Sequence, residues 1–278
     1  TTIVPVDGRN RIIEDGTIVI EDGELVAVRP AEDDDHELPA ETVIDGTGTV
    51  AIPGLVDAHR HTDFCLVGGL FADLDPFDAL AEAIALYHTD AESLGRSFFE
   101  ASWRLACLRQ LTHGVTTVNA MDGYPAIGAR AVGESGLRAV IGLDFSDLVM
   151  PASVSDQVAE IRAFIDEYHG SYDGRVQASL APDGTGACSR EAWEATADLR
   201  EEYPELLLHT HAFNVPYGAV VARGTHGNDR LGTLDDLGLL DDRTVIAHCT
   251  HADADDVRRI ADAGSSVVHC ASIFSYYR

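Results

Sequence analysis

Ile52-Pro53-Gly54-Leu55-Val56-Asp57-Ala58-His59-Arg60-His61-Thr62 is the stretch on which the fold turns. Leu55, Val56 and Ala58 make a short apolar run that reads as a buried strand, and Pro53-Gly54 marks its beginning. Strand side chains alternate faces, so His59 and His61 point the same way at a spacing one metal ion can bridge. Neutral imidazole suits zinc or another first-row transition metal, with Zn–N contacts of about 2.0–2.1 Å. Taken alone, the pair is equally well read as two half-exposed loop histidines. The rest of the chain decides between these readings.

Working outward from that stretch, helix and strand patterns alternate, the signature of a parallel sheet. Strand patterns at 114–118, 137–143, 175–180, 206–208, 244–247 and 266–268 bring the total to seven. Between them, helical spacing marks 78–88, 92–113, 126–135, 153–169, 189–202, 234–240 and 253–263. Several strands run into polar residues: Asn119 and Asp122, Asp183, His209 and His211, His248, and His269. Barrel enzymes keep their chemistry at strand C-terminal ends, so a (β/α)₈ barrel is expected. His209 and His211 can both face inward on one strand, and His209 is the better candidate for a packing or supporting role. His36, His88, His113, His169, His226 and His251 read as surface, loop or helix-end residues.

Before residue 52 the chain carries shorter β signals. Ile18-Val19-Ile20 and Leu25-Val26-Ala27-Val28 flank Asp22-Gly23, a hairpin signal. Val43-Ile44 adds a further strand, and the acidic run over 32–37 reads as a solvated loop. Residues 1–51 are therefore expected to form part of a small β-sandwich, and 52–278 the barrel. Seven strands leave such a barrel one short. The natural protein is expected to begin before Thr1 and to continue well past Arg278, with an eighth strand ending in an aspartate.

Composition narrows the classes. All 19 basic residues are arginine, against 47 acidic ones, for a formal charge of −28. Such a charge repels phosphate backbones and excludes nucleic acid as a partner. It is tolerable in concentrated salt, where the Debye length shrinks to about 3 Å, and the pattern is that of proteins from salt-loving microbes. No apolar run approaches the roughly 20 residues of a membrane span and no signal peptide is visible, which predicts a cytoplasmic protein without a membrane partner. Five cysteines at scattered spacings read as reduced packing residues. A small-molecule substrate is the expected partner, and a homo-oligomer is left open.

Four stretches carry a resemblance. Pro53 through His61, Gly114-Val115-Thr116-Thr117-Val118, Leu237-Gly238-Leu239-Leu240-Asp241-Asp242-Arg243 and Ala247-His248-Cys249 resemble the amidohydrolase superfamily. The similarity is strongest to its chlorohydrolase and aminohydrolase branch, with triazine chlorohydrolases and cytosine, guanine and adenosylhomocysteine deaminases. It implies a β-sandwich built from both termini, a (β/α)₈ barrel and one divalent metal ion, zinc first and Fe²⁺ second. His59, His61 and His211 match the family's histidine ligands. His248 matches the residue used beside the activated water and the substrate. The family's last ligand, an aspartate after an eighth strand, has no counterpart here. Asn214 stands where the deaminases carry a proton-shuttling glutamate, and Pro182-Asp183 replaces a frequent Pro-His. Asn214, His269, Asp122, Asp183 and Arg60 are the expected substrate contacts. The implied reaction is metal-assisted hydrolysis of a C–N or C–Cl bond in a small heterocyclic amine or amide. A metal-binding, sensor-like relative without turnover is the alternative, and Asn214 is the residue that raises it.

Overall fold

The computed structural model describes residues 1–35, 39–70, 73–74, 76–150, 152–214, 218–227, 229 and 231–272. The chain divides into two compact units, Thr1–Leu55 and Val56–Arg278.

Among its described residues the first unit has four strands. β1 (Thr2–Ile3) pairs in parallel with a strand near residue 50, while β2 (Gly16–Glu21) and β3 (Glu24–Pro30) form an antiparallel hairpin. Asp22 and Gly23 both take positive φ, 49° and 81°, as a two-residue type I′ turn requires. β4 (Val50–Ala51) completes the β1 pair. Two strand pairs do not by themselves make up a sandwich. The strand expected at Val43-Ile44 is absent: both lie outside any strand, 82% and 87% exposed. Of the acidic loop, the described part holds Asp35 against the Arg29 guanidinium at 2.5 Å. That contact holds the Asp35 carboxyl well below its ordinary range.

In the second unit the seven predicted strands form one sheet, although Leu55 and Val56 of the first, expected to be buried, are 52% and 63% exposed. The strands are β5 (Leu55–Arg60), β6 (Val115–Asp122), β7 (Arg138–Phe145), β8 (Val176–Pro182), β9 (Leu207–Ala212), β10 (Thr244–His248) and β11 (Ser266–Val268). They lie side by side in sequence order, and the registers from β6 to β11 are parallel. Sequential parallel strands joined by helices are the architecture of the (β/α)₈ barrel, here with seven strands. Strands buried on both faces need apolar residues throughout. On β7, Ala139, Ile141, Leu143 and Phe145 are all buried, and Gly142 opposes β8 so closely that a Cβ there would lie 2.4 Å from Ala181 Cβ.

The helices cover the sheet. α1 (Pro76–Thr112) runs where two helices were expected, and the break falls at Gly95, at φ 70°, inside the second expected helix rather than at residues 89–91. α2 (Pro125–Ser135) packs Gly128 onto the Trp103 ring and stops at Gly136 in the left-handed conformation. α3 (Val154–Tyr168) is capped by Ser153, which accepts from Asp156 N at 3.1 Å. After the short turn α4 (Ser171–Gly174), α5 (Arg190–Glu202) is capped likewise by Ser189. α6 (Gly218–His226) was not expected, because two glycines and a short length leave little helical pattern to read. α7 (Gly232–Asp236) and α8 (Ala254–Asp262) follow, the latter with an Asp253/Asp256 capping box. Trp103 and Trp193, at 1% and 0% exposure, anchor the core between helices and strands. Among the described residues no helix is long and apolar enough to cross a membrane.

Candidate metal centre

Five histidines converge at the C-terminal end of the sheet. β5 delivers His59, and His61 follows one residue past its end; β9 delivers His209 and His211, and β10 ends on His248. Within each His-x-His pair the two-residue period puts both rings on one face. His248 and Cys249 both take positive φ, 78° and 54°, so the chain bends sharply as it leaves β10. Cys249 N donates to Ala212 O at 3.1 Å and fixes that bend against β9.

The rings form a tight nest. Ring centroids lie 5.1 Å apart for His59 and His61, 4.8 Å for His59 and His211, and 5.3 Å for His211 and His248. One ring nitrogen from each of His59, His61 and His211 lies within 4.8 Å of the others. His61 Nε2 faces His211 Nε2 at 3.1 Å, and His59 Nδ1 faces His209 Nε2 at 2.9 Å.

Whether this donor set fits a divalent ion can be read from its tautomers. His211 Nδ1 donates to the Asp183 carbonyl at 2.7 Å, which leaves Nε2 as the nitrogen aimed at His61. Two tetrahedral zinc ligands at about 2.05 Å stand roughly 3.3 Å apart, close to the separation of those two nitrogens. Protonation is also suitable. Burial, and then its histidine neighbours, push His59 far below its ordinary range. Burial and His211 bring His61 to about 4, and burial leads the fall to about 3 at His209 and His248. These imidazoles are neutral near pH 7, as metal ligands must be. His211 moves the other way: burial lowers it, but the Asp183 carboxylate, 3.5 Å from Nδ1, outweighs that and raises it. Nitrogen donors of this kind match zinc and its neighbours rather than calcium or magnesium.

Asp183 is therefore a support for His211. Behind it lies Asp144 at the end of β7, whose carboxyl is pushed well above its ordinary range by burial and then by the Asp183 charge. Sequence reading passed over Asp144, and its position at a strand end was the available signal.

The other expected contacts are placed differently. Asp122 is 2% exposed, and its Oδ1 accepts from Thr62 N at 2.6 Å and Asp63 N at 2.9 Å. Asp63 in turn accepts from Trp103 Nε1 at 2.9 Å and Gly123 N at 3.0 Å. The two carboxylates thus clamp the segment after His61 to the end of β6, through Oδ1 of Asp122. Arg60 is carried to the opposite face by the alternation that unites His59 and His61, and its guanidinium meets Asp57 at 3.4 Å and Cys65 Sγ at 3.7 Å. Asn214 is exposed two residues past β9, and His269 is exposed just past β11. Cys270, read from the sequence as packing, instead lies with His59 and His248 in a second group of ligand atoms within 4.8 Å. All five cysteines are free. His36 lies outside the described residues, as does the side chain of His88. His113 and His169 are exposed, and His226 donates Nε2 to Thr185 O at 2.8 Å.

Comparison with known proteins adds four findings. The model of the amidohydrolase family matches residues 50–277. A 5'-deoxyadenosine deaminase of Methanothermobacter thermautotrophicus is 32% identical over 257 residues, which is 92% of this chain and 58% of that protein. Among solved structures, an atrazine chlorohydrolase mutant from Arthrobacter aurescens, complexed with zinc and atraton, superposes at TM-score 0.88 with 24% identity over 100% of this chain and 65% of its own. An adenosine deaminase from Xanthomonas campestris with bound zinc superposes at 0.85 with 24% identity, over 99% of this chain and 62% of its own. The chain thus spans less than two thirds of the length of these relatives.

Proposed function

The chain belongs to the amidohydrolase family, and from that premise we propose that it holds the metal site of a hydrolase cleaving a C–N or C–Cl bond of a small heterocyclic substrate. The observation that carries the proposal is the convergence of His59, His61 and His211, with Asp183 fixing the tautomer of His211. These three residues would hold one divalent ion, zinc first and Fe²⁺ second. When bound, such an ion supplies Lewis acidity and lowers the pKa of water, making a nucleophile available near pH 7. His61 and His59, neutral through burial, keep their lone pairs for that ion. His248 stacks 5.3 Å from His211 and is half-buried, so its neutral imidazole is placed to hydrogen-bond the attacking water and the charge that develops on substrate. We place the reaction in the cytoplasm, in keeping with five unpaired cysteines.

The relative's name points to an adenine-type amine: water adds at the ring carbon bearing the amino group, and ammonia leaves. Asn214 favours a second substrate class, since an amide side chain cannot protonate a ring nitrogen as a carboxylic acid can. Linear or cyclic amides need that proton less. Assaying the full-length zinc-loaded protein for ammonia release from 5'-deoxyadenosine, beside a panel of cyclic amides, tests both. Turnover of either class that is lost on metal removal supports the proposal, and Asn214→Glu should then raise aminopurine activity more than amide activity. A zinc-loaded protein that turns over neither would be a metal-binding relative without catalysis.

A further inference from the structure

Cys270 stands two residues past the end of β11. Its Sγ, one ring nitrogen of His59 and one of His248 all lie within 4.8 Å of one another. His59 belongs equally to the group it forms with His61 and His211. The two groups share that residue, so the Cys270 sulfur stands beside a histidine that both groups use. Two of the three buried cysteines are engaged elsewhere: Cys188 Sγ donates to Phe145 O at 3.0 Å, and Cys65 accepts from Arg109 at 3.5 Å. Cys270 keeps a long contact to Val268 O at 3.7 Å, which a metal bond would readily replace.

The backbone supports the same reading. Two successive non-glycine residues in the left-handed region, His248 and Cys249, are costly and persist where the surrounding structure enforces them. Here that bend at the end of β10 goes with a His248 ring 5.3 Å from the His59 ring, both in the group that includes Cys270.

We infer that Cys270 is a thiolate ligand of the ion that His59 holds. This rests on the metal-site reading given above and adds a sulfur donor to it. On binding, the Sγ–H bond breaks, a sulfur–metal bond forms and the proton leaves to solvent, with no change of oxidation state. A nitrogen–sulfur donor set is softer than one of histidine alone and selects zinc, cobalt or cadmium over magnesium or manganese.

The test is the absorption spectrum of the full-length protein loaded with Co²⁺ alone. Cobalt bound through Cys270 gives a near-ultraviolet thiolate-to-metal charge-transfer band beside the visible ligand-field bands. Cys270→Ser should abolish the first and keep the second, while Cys107→Ser keeps both. A charge-transfer band that survives in Cys270→Ser, or that is missing from cobalt-loaded wild type, overturns the thiolate assignment and leaves the histidine site standing. A wild-type protein that takes up no cobalt sinks both. Should Cys270→Ser fail to fold, alkylation of wild type answers the question. Bound zinc should slow iodoacetamide labelling of Cys270 by roughly tenfold or more, read by peptide mass spectrometry, and equal rates with and without zinc refute the assignment.

Discussion

His211 gives its Nδ1 proton to the main-chain carbonyl of Asp183 at 2.7 Å, and the carboxylate of the same residue stands 3.5 Å from that nitrogen. One residue therefore sets both the tautomer and the basicity of His211. Because Asp183 raises His211 while burial lowers His61 and His59, a single proton competes with metal on acidification. Affinity is full above the raised His211 value and is lost as pH falls through it. We expect zinc affinity to weaken roughly tenfold per pH unit there, a one-proton slope, down to the region of about 4 where His61 joins. Chelator competition across pH measures this, and Asp183→Asn should move the fall to lower pH. A slope of two or three protons near neutrality would refute it.

The clamp beneath His61 separates two substitutions. Asp122→Ala leaves the buried N–H groups of Thr62 and Asp63 without their acceptor and should cost about 2–4 kcal/mol. Asp122→Asn keeps an acceptor oxygen and removes the repulsion with Asp63, so stability should hold or rise. Denaturant melts without any ligand show the difference. Equal stability of the two variants would return Asp122 to a role in substrate binding.

Gly128 is held by packing alone. A Cβ there would sit 2.4 Å from the Trp103 ring, which is 1% exposed and has no room to retreat. Gly128→Ala should destabilise by about 1–3 kcal/mol through overpacking. Near-zero cost, by the same melts, would show that α2 shifts freely on α1.

Charge predicts a dependence on salt. With 47 acidic residues against 19 arginines, self-repulsion opposes the compact state until ions screen it. Melting temperature should climb steeply from low to molar KCl, and a flat profile removes the halophile reading.

How much of this was legible in the sequence follows from local physics. The seven strands and most helices could be read because alternation, apolar runs and caps such as Ser153 and Ser189 are local signals. The histidines could be read because a two-residue spacing on a strand fixes a common face. Position at a strand end does not say which way a side chain turns: Arg60 follows the alternation outward, and Asp122 is held by backbone donors 60 and 59 residues away. The settings of Asp144 and Cys270 are not legible for the same reason, since their neighbours lie on other strands. Val43-Ile44 failed as a strand because apolar character without a pairing partner does not make a ladder.

The central claim is the histidine-held ion, and metal content tests it most directly. Elemental analysis of the purified full-length protein should find about one divalent metal per chain, with loss of that metal in His61→Ala and in His211→Ala. Full retention of metal by both folded variants would contradict the site described here.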